Sequence, residues 1–142
     1  LARAMKGTGV QVIAVTLHAG RWAKYSPPDP EKMEEIKSLG GMVVTATHVL
    51  IGNVETAVRE KFGGLGPSEL IGQTLYLLGQ GMKVAIEIAV MAADAGLVSP
   101  SEDVISVAGT ARGVDTAVVI RPSYSTKFFD LRVREILAMP RG

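Results

Sequence analysis

The chain has two histidines, and each stands just beyond an apolar run. Val10-Gln11-Val12-Ile13-Ala14-Val15-Thr16 leads into Leu17-His18-Ala19-Gly20, and Met42 to Thr45 leads into Ala46-Thr47-His48. An imidazole with a pKa near ~6.5 can hold or pass a proton at neutral pH, so at a strand end it can face a ligand or cap a turn; both readings stay open. A metal site is disfavoured, because two histidines need a third ligand and no carboxylate stands at a familiar spacing. The other candidate is Gly109-Thr110-Ala111-Arg112-Gly113-Val114-Asp115-Thr116. Its two glycines let backbone N–H groups converge, its two threonines add hydroxyl donors, and Arg112 adds a planar cation, which together describe a phosphate cradle. It is neither a P-loop nor a G-x-G-x-x-G turn, and a tight β-turn with a solvated arginine is the competing reading.

Three weaker features accompany these. Phe62-Gly63-Gly64-Leu65-Gly66-Pro67 opens a helix whose first N–H groups could receive an anion, although an ordinary helix entry explains it equally well. Lys83, Glu87 and Asp94 share one stripe of an otherwise apolar segment and read as a solvated helix edge, with Glu87, hemmed by Ala85, Ile86, Ile88 and Ala89, open to partial burial. Trp22 and Tyr25 sit in a polar stretch from Ala19 to Pro28, expected as a loop, where they could stack on a flat ring or close the core.

The elements that must position these residues follow from patterning. Val10 to Thr16 is a β-branched, nearly continuous apolar run of strand length, as expected for a strand buried on both faces of a parallel sheet. Asp29 offers an N-cap and Pro30 a first helical position, so a helix is expected from Glu31 to Leu39, stopping at Gly40. Met42 to Thr45 is a second strand. Asn53 can cap a helix running to Lys61, Pro67 can open another running to about Gly79, and Met82 to Ala95 is a core helix ended by Gly96. Val104 to Ala108 and Ala117 to Ile120 are further strands, and Leu131 to Met139 fits helix or strand. Strand, helix, strand, helices, strands is the order of an α/β sandwich on a mainly parallel sheet, in which ligands bind beyond the carboxyl ends of the strands.

Composition narrows the function classes. With 142 residues, 47% of them hydrophobic, the chain is sized for one domain with an ordinary core. Fifteen Lys and Arg against 14 Asp and Glu leave a net charge of +1, so no polyanion-binding field points to nucleic acid. Zero cysteines exclude thiol catalysis, disulfides and Cys-based metal sites. No apolar run reaches the ~18 residues that cross a bilayer, and no signal-peptide pattern opens the chain. A cytoplasmic protein without membrane partners is expected, with homo-oligomerisation left open. The start at Leu1, without methionine, suggests the remainder of something longer.

Taken in order, Val15-Thr16-Leu17-His18-Ala19-Gly20, Thr45-Ala46-Thr47-His48, Lys61-Phe62-Gly63-Gly64, Gly79-Gln80-Gly81-Met82-Lys83-Val84, Gly109 to Ala117 and Phe128-Phe129-Asp130-Leu131 span the chain. Together they resemble an archaeal and bacterial family of uncharacterised, stand-alone proteins with the fold of the pyruvate kinase C-terminal domain. The resemblance implies a single domain, a three-layer α/β/α sandwich with a mainly parallel sheet, lacking its N-terminal βα unit. That unit would carry a central strand and a Thr/Ser-Gly phosphate loop. A sheet without its central strand exposes two edges, so the natural polypeptide is expected to extend roughly 30–50 residues upstream, about one βα unit.

In pyruvate kinases the corresponding domain holds a sugar phosphate on the loop matched by Gly109 to Thr116, and the stand-alone family is similar to a binder of flavin mononucleotide (FMN). The resemblance therefore implies FMN as cofactor, with Gly109, Thr110, Arg112, Gly113 and Thr116 around the phosphate. Thr16, His18, Thr47, His48 and Gly63 would contact the rest of the ligand. Pyruvate kinase activity does not carry over, because it belongs to a barrel domain of which this sequence has no trace. The expected function is binding of a phosphorylated small ligand. The alternatives are an enzyme using His18 or His48 as acid or base on a phosphorylated metabolite, and an interaction module without ligand.

Overall fold

A computed structural model describes residues 1–110 and 113–141, with the backbone alone at residue 23. The elements run α1 (Ala2–Met5), β1 (Ile13–Thr16), α2 (Ala19–Tyr25), α3 (Pro30–Ser38), β2 (Met42–Thr45), α4 (Val54–Phe62), α5 (Pro67–Leu75), α6 (Gln80–Asp94), β3 (Val104–Ala108), β4 (Thr116–Arg121) and β5 (Arg132–Ala138). Short 3-10 segments cover Tyr76–Leu78 and Ser125–Asp130. The chain is mixed α/β, and it packs as two compact units, Leu1–Thr47 and His48–Gly142.

In the first unit β1 and β2 pair in parallel, from Ile13 opposite Met42 to Thr16 opposite Thr45. β1 is shorter than the apolar run that contains it, because β2 offers only Met42 to Thr45 as partners after the Gly40-Gly41 turn. Its four residues are half-buried, not sealed on both faces. α3 forms as its caps require: the Asp29 carboxylate accepts from the N–H groups of Glu31 and Lys32, Pro30 takes the first turn, and Gly40 at φ +84° lets the chain leave. The stretch from Ala19 to Pro28 is not a loop; α2 occupies most of it. Trp22 Nε1 donates to the Leu17 carbonyl at 2.7 Å and the Arg21 guanidinium stacks on the Tyr25 ring one turn on, at 5.3 Å. Ala, Arg and Lys supply helix propensity, and the Pro27-Pro28 pair forbids continuation beyond Ser26.

In the second unit α6 lies against the antiparallel sheet β3-β4-β5. Met82, Ala85, Ile86 and Ala89 of the helix meet Ala108, Val118 and Ile120 of the strands in one buried cluster. The spacing of those four, i, i+3, i+4 and i+7, is the stripe a helix presents to a sheet. β4 alternates buried and half-buried residues throughout, with Thr116, Val118 and Ile120 inward.

Two further expectations change here. Parallel pairing is confined to β1 and β2; β3, β4 and β5 are antiparallel neighbours in sequence order, so the pairings do not describe a mainly parallel three-layer sandwich. The cause is connection length: the described residues between Ala108 and Thr116 and between Arg121 and Arg132 hold no crossover helix of the kind a parallel return needs. The ambiguous tail is a strand, joined to β4 with register shifts at Ala117/Val118 and Val119/Ile120. Secondly, Lys83 and Glu87 do not lie on a wet edge. Both are buried, and only Asp94 of that stripe is exposed, where it accepts from the Ser125 N–H at 2.9 Å.

Candidate functional site

The Gly109–Thr116 loop joins β3 to β4, and its shape depends on bare backbone. A Cβ on Gly109 would lie 2.2 Å from the Gly113 carbonyl oxygen, and Gly113 itself has φ +73°. Asp115 braces the turn from within: Oδ2 accepts from the Thr110 N–H at 2.9 Å and Oδ1 from the Thr116 hydroxyl at 2.7 Å. The hydroxyl of Thr116, then that of Thr110 and its N–H, hold the Asp115 carboxyl below the usual aspartate range. Thr116 is buried, whereas Thr110 and Gly113 are exposed at the tip. The opposite wall is Gly81 in the first turn of α6, where a Cβ would lie 2.2 Å from Thr116 Oγ1 and 2.5 Å from Asp115 Oδ1. α6 has no side-chain cap at its start. Arg112, the cation of the expected cradle, lies outside the described residues, as does Ala111.

The second anion-receiving helix entry is filled by the chain itself. Glu55 Oε2 accepts from the Ser68 N–H at 3.0 Å, the Ser68 hydroxyl at 2.5 Å and the Glu69 N–H at 3.4 Å, at the start of α5. Gly66 leaves the necessary room, since a Cβ there would lie 2.3 Å from the same oxygen. Gly63, expected near a ligand, ends α4: it is exposed, has φ +79°, and its N–H donates to the Arg59 carbonyl.

In the first unit, the carboxyl ends of the parallel strands carry two hydroxyls in contact, Thr16 Oγ1 and Thr45 Oγ1 at 2.6 Å. His18 is the N-cap residue of α2, and its ring lies 3.1 Å from where a Gly20 Cβ would be. Thr47 is exposed. Thr16 and His18 thus stand at the strand end where the sequence put them, and Thr45 joins them without having been singled out.

His48 belongs to the second unit and meets a buried charge cluster. Glu87 reaches out from α6 beneath the segment after β2: Oε1 accepts from the N–H groups of Leu50 at 2.9 Å and Ile51 at 3.2 Å. Its Oε2 takes Lys83 Nζ, one turn back on the helix, and lies 3.7 Å from His48 Nδ1. Further bonds hold the same segment. Thr56 Oγ1 accepts from the Gly52 N–H and donates to the buried Glu69, Ser68 Oγ donates to the Leu50 carbonyl, and Asn53 Nδ2 donates to the Val49 carbonyl. Arg59 Nε stands 3.5 Å from the remaining Glu69 oxygen. Lys83 Nζ also lies 5.8 Å from the centre of the Tyr76 ring.

A carboxylate with this many donors is a fixed charge, and it sets both the path of residues 50–52 and the surroundings of the imidazole. Sequence reasoning singled out His48, and separately Lys83 and Glu87 as a solvated helix edge, but did not bring them together. The signal was present: a Lys and a Glu four apart in a helix whose other residues are apolar on nearly every side can be hidden only by pairing with each other.

Among the described residues, no group of three or more His, Asp or Glu side chains is placed to hold a metal, and no helix is long and apolar enough to cross a membrane. A search of the known protein-family models finds none that matches this chain.

Proposed function

We propose that the chain binds a phosphorylated small ligand at the Gly109–Thr116 loop, and that the ligand is FMN. The observation that carries this reading is a turn where Gly109 leaves no room for a Cβ, Gly113 holds φ +73°, and an amide and a hydroxyl already converge on the anionic oxygens of Asp115. Asp115 and Thr116 brace the loop, while the exposed tip at Thr110 and Gly113 is the part a phosphate can approach. Arg112 supplies the planar cation. FMN is chosen on the sequence resemblance to stand-alone proteins with the pyruvate kinase C-terminal fold. On this reading the protein is a cytoplasmic member of that group.

Titration of FMN into the protein, followed by quenching of flavin fluorescence, tests the proposal. Saturable quenching is expected, and Arg112→Ala should weaken it by roughly ten- to a hundredfold, the loss of one charge-assisted hydrogen bond of about 1.5–3 kcal/mol. Riboflavin, which lacks the phosphate, should bind more weakly than FMN. Equal binding of the two, or an unchanged Arg112→Ala variant, would show that no phosphate is held there.

A further inference from the structure

We propose that two copies of the chain pair through α4, a helix whose outward face is its apolar one. The side it turns to the protein is polar. Thr56 is buried and donates to Glu69, Glu55 accepts from Ser68, and Arg59 reaches the other Glu69 oxygen. Val54, Val58 and Phe62, each four positions after the last and so on one stripe, stand on the other side with 78%, 49% and 74% of their surface bare. Ala57 beside them is exposed as well. A helix that meets only water carries polar residues outward. Apolar residues scattered singly over a surface need no explanation, whereas a stripe of them marks an interface.

Size points to a second copy as the occupant. Leu65, Leu70 and Leu77, in the turn after α4, in α5 and in the 3-10 segment that follows it, are also exposed, so six large apolar side chains each show about half or more of their surface. Together they offer on the order of 700 Å², close to the roughly 800 Å² that each partner brings to a standard interface.

Symmetry fixes the register. A closed pair has a two-fold axis, so the stripe must fit itself. An antiparallel pair centred on Val58 does so: Val58 meets its own copy, and each Val54 meets a Phe62, small against large. The helix dipoles then oppose, and the two exposed Lys61 side chains that border the stripe are separated by about 9 Å along the axis. A parallel pair would set Phe62 on Phe62 and bring both lysines and both dipoles into line.

Sedimentation of the full chain over a range of concentrations should show a reversible dimer. Val58→Glu should raise its dissociation constant roughly a hundredfold or more, because the two-fold axis counts the change twice. Ile136→Glu, at a residue of β5 that is 48% exposed and hence as bare as Val58, should leave the dimer unchanged. The chain has no cysteine, so single thiols report the register. With oxidised glutathione as oxidant, Val58→Cys should form a disulfide-linked dimer. Val54→Cys, about 12 Å from its copy along the axis, should not, but should cross-link when mixed with Phe62→Cys. A parent that stays monomeric up to about 1 mM overturns the proposal. So does a dimer broken by Ile136→Glu and not by Val58→Glu, or a disulfide that forms at Val54→Cys and not at Val58→Cys. If Val58→Glu does not fold, the Val58→Cys cross-link decides alone.

Discussion

Glu55, Glu87 and Asp115 each accept backbone N–H groups at a turn or helix start. Two of those places, the entry to α5 and the Gly109–Thr116 loop, are ones the sequence offers equally to an outside anion. A carboxylate close in the chain competes for the same donors, and spacing cannot say which wins. Asp115 yields a pH prediction. Its folded carboxyl sits below the ordinary value of about 3.9, so its contribution to stability is fully present above that value and is lost as pH falls through the lower folded one. The stability difference between the parent and Asp115→Asn, from urea melts, should be constant above about pH 5 and shrink progressively below about pH 4. Also in the first turn of α6, Lys83→Met leaves a buried carboxylate without its main counter-charge. Breaking such a pair costs about 3–5 kcal/mol, measurable as a lower urea midpoint at unchanged slope.

Caps and stops carry the elements, and they act through neighbours in sequence, which is why they were legible. Asp29, Asn53, Gly40 and Gly96 all do what their types and positions imply. Asn53 does more than cap α4, since its amide also donates to the Val49 carbonyl and toward Ser68. Asn53→Ala should therefore fall near the upper end of the range for a lost cap, about 1–2 kcal/mol, in the same urea assay. α2 was missed because its helix depends on Trp22 and Arg21 finding Leu17 and Tyr25, a gain that polarity alone hides. The buried Lys83 and Glu87 were misread for a related reason: charge at a helix position signals water unless something in the fold supplies partners.

Across the whole molecule, protection from solvent is uneven. No described residue of Leu1–Thr47 is fully buried, whereas α6, β3 and β4 supply nearly all of the core cluster and its largest sealed side chains. Amide hydrogen exchange should thus be slowest in Met82 to Ala93 and in β4, and fastest within residues 1–47, β1 and β2 included. Slow exchange in β1 equal to that in β4 would contradict this. Met82→Ala, which removes a side chain with no exposed surface, should lower stability by about 2–5 kcal/mol and accelerate exchange throughout His48–Gly142, not at α6 alone.

The existence of α3 to α6, the positions of β2, β3 and β4, and the placement of both histidines beyond strand ends were determined by the sequence alone, because propensity, capping and hydrophobic period are local properties. Strand direction was not, since a connection's length and the partner's register decide pairing, and these turned β3, β4 and β5 antiparallel. Nor was the identity of the groups that receive each N–H. Glu87 lies far along the chain from Leu50 and Ile51, and only folding brings α6 beneath them, turning a charge that reads as solvated into the fixed anion beside His48.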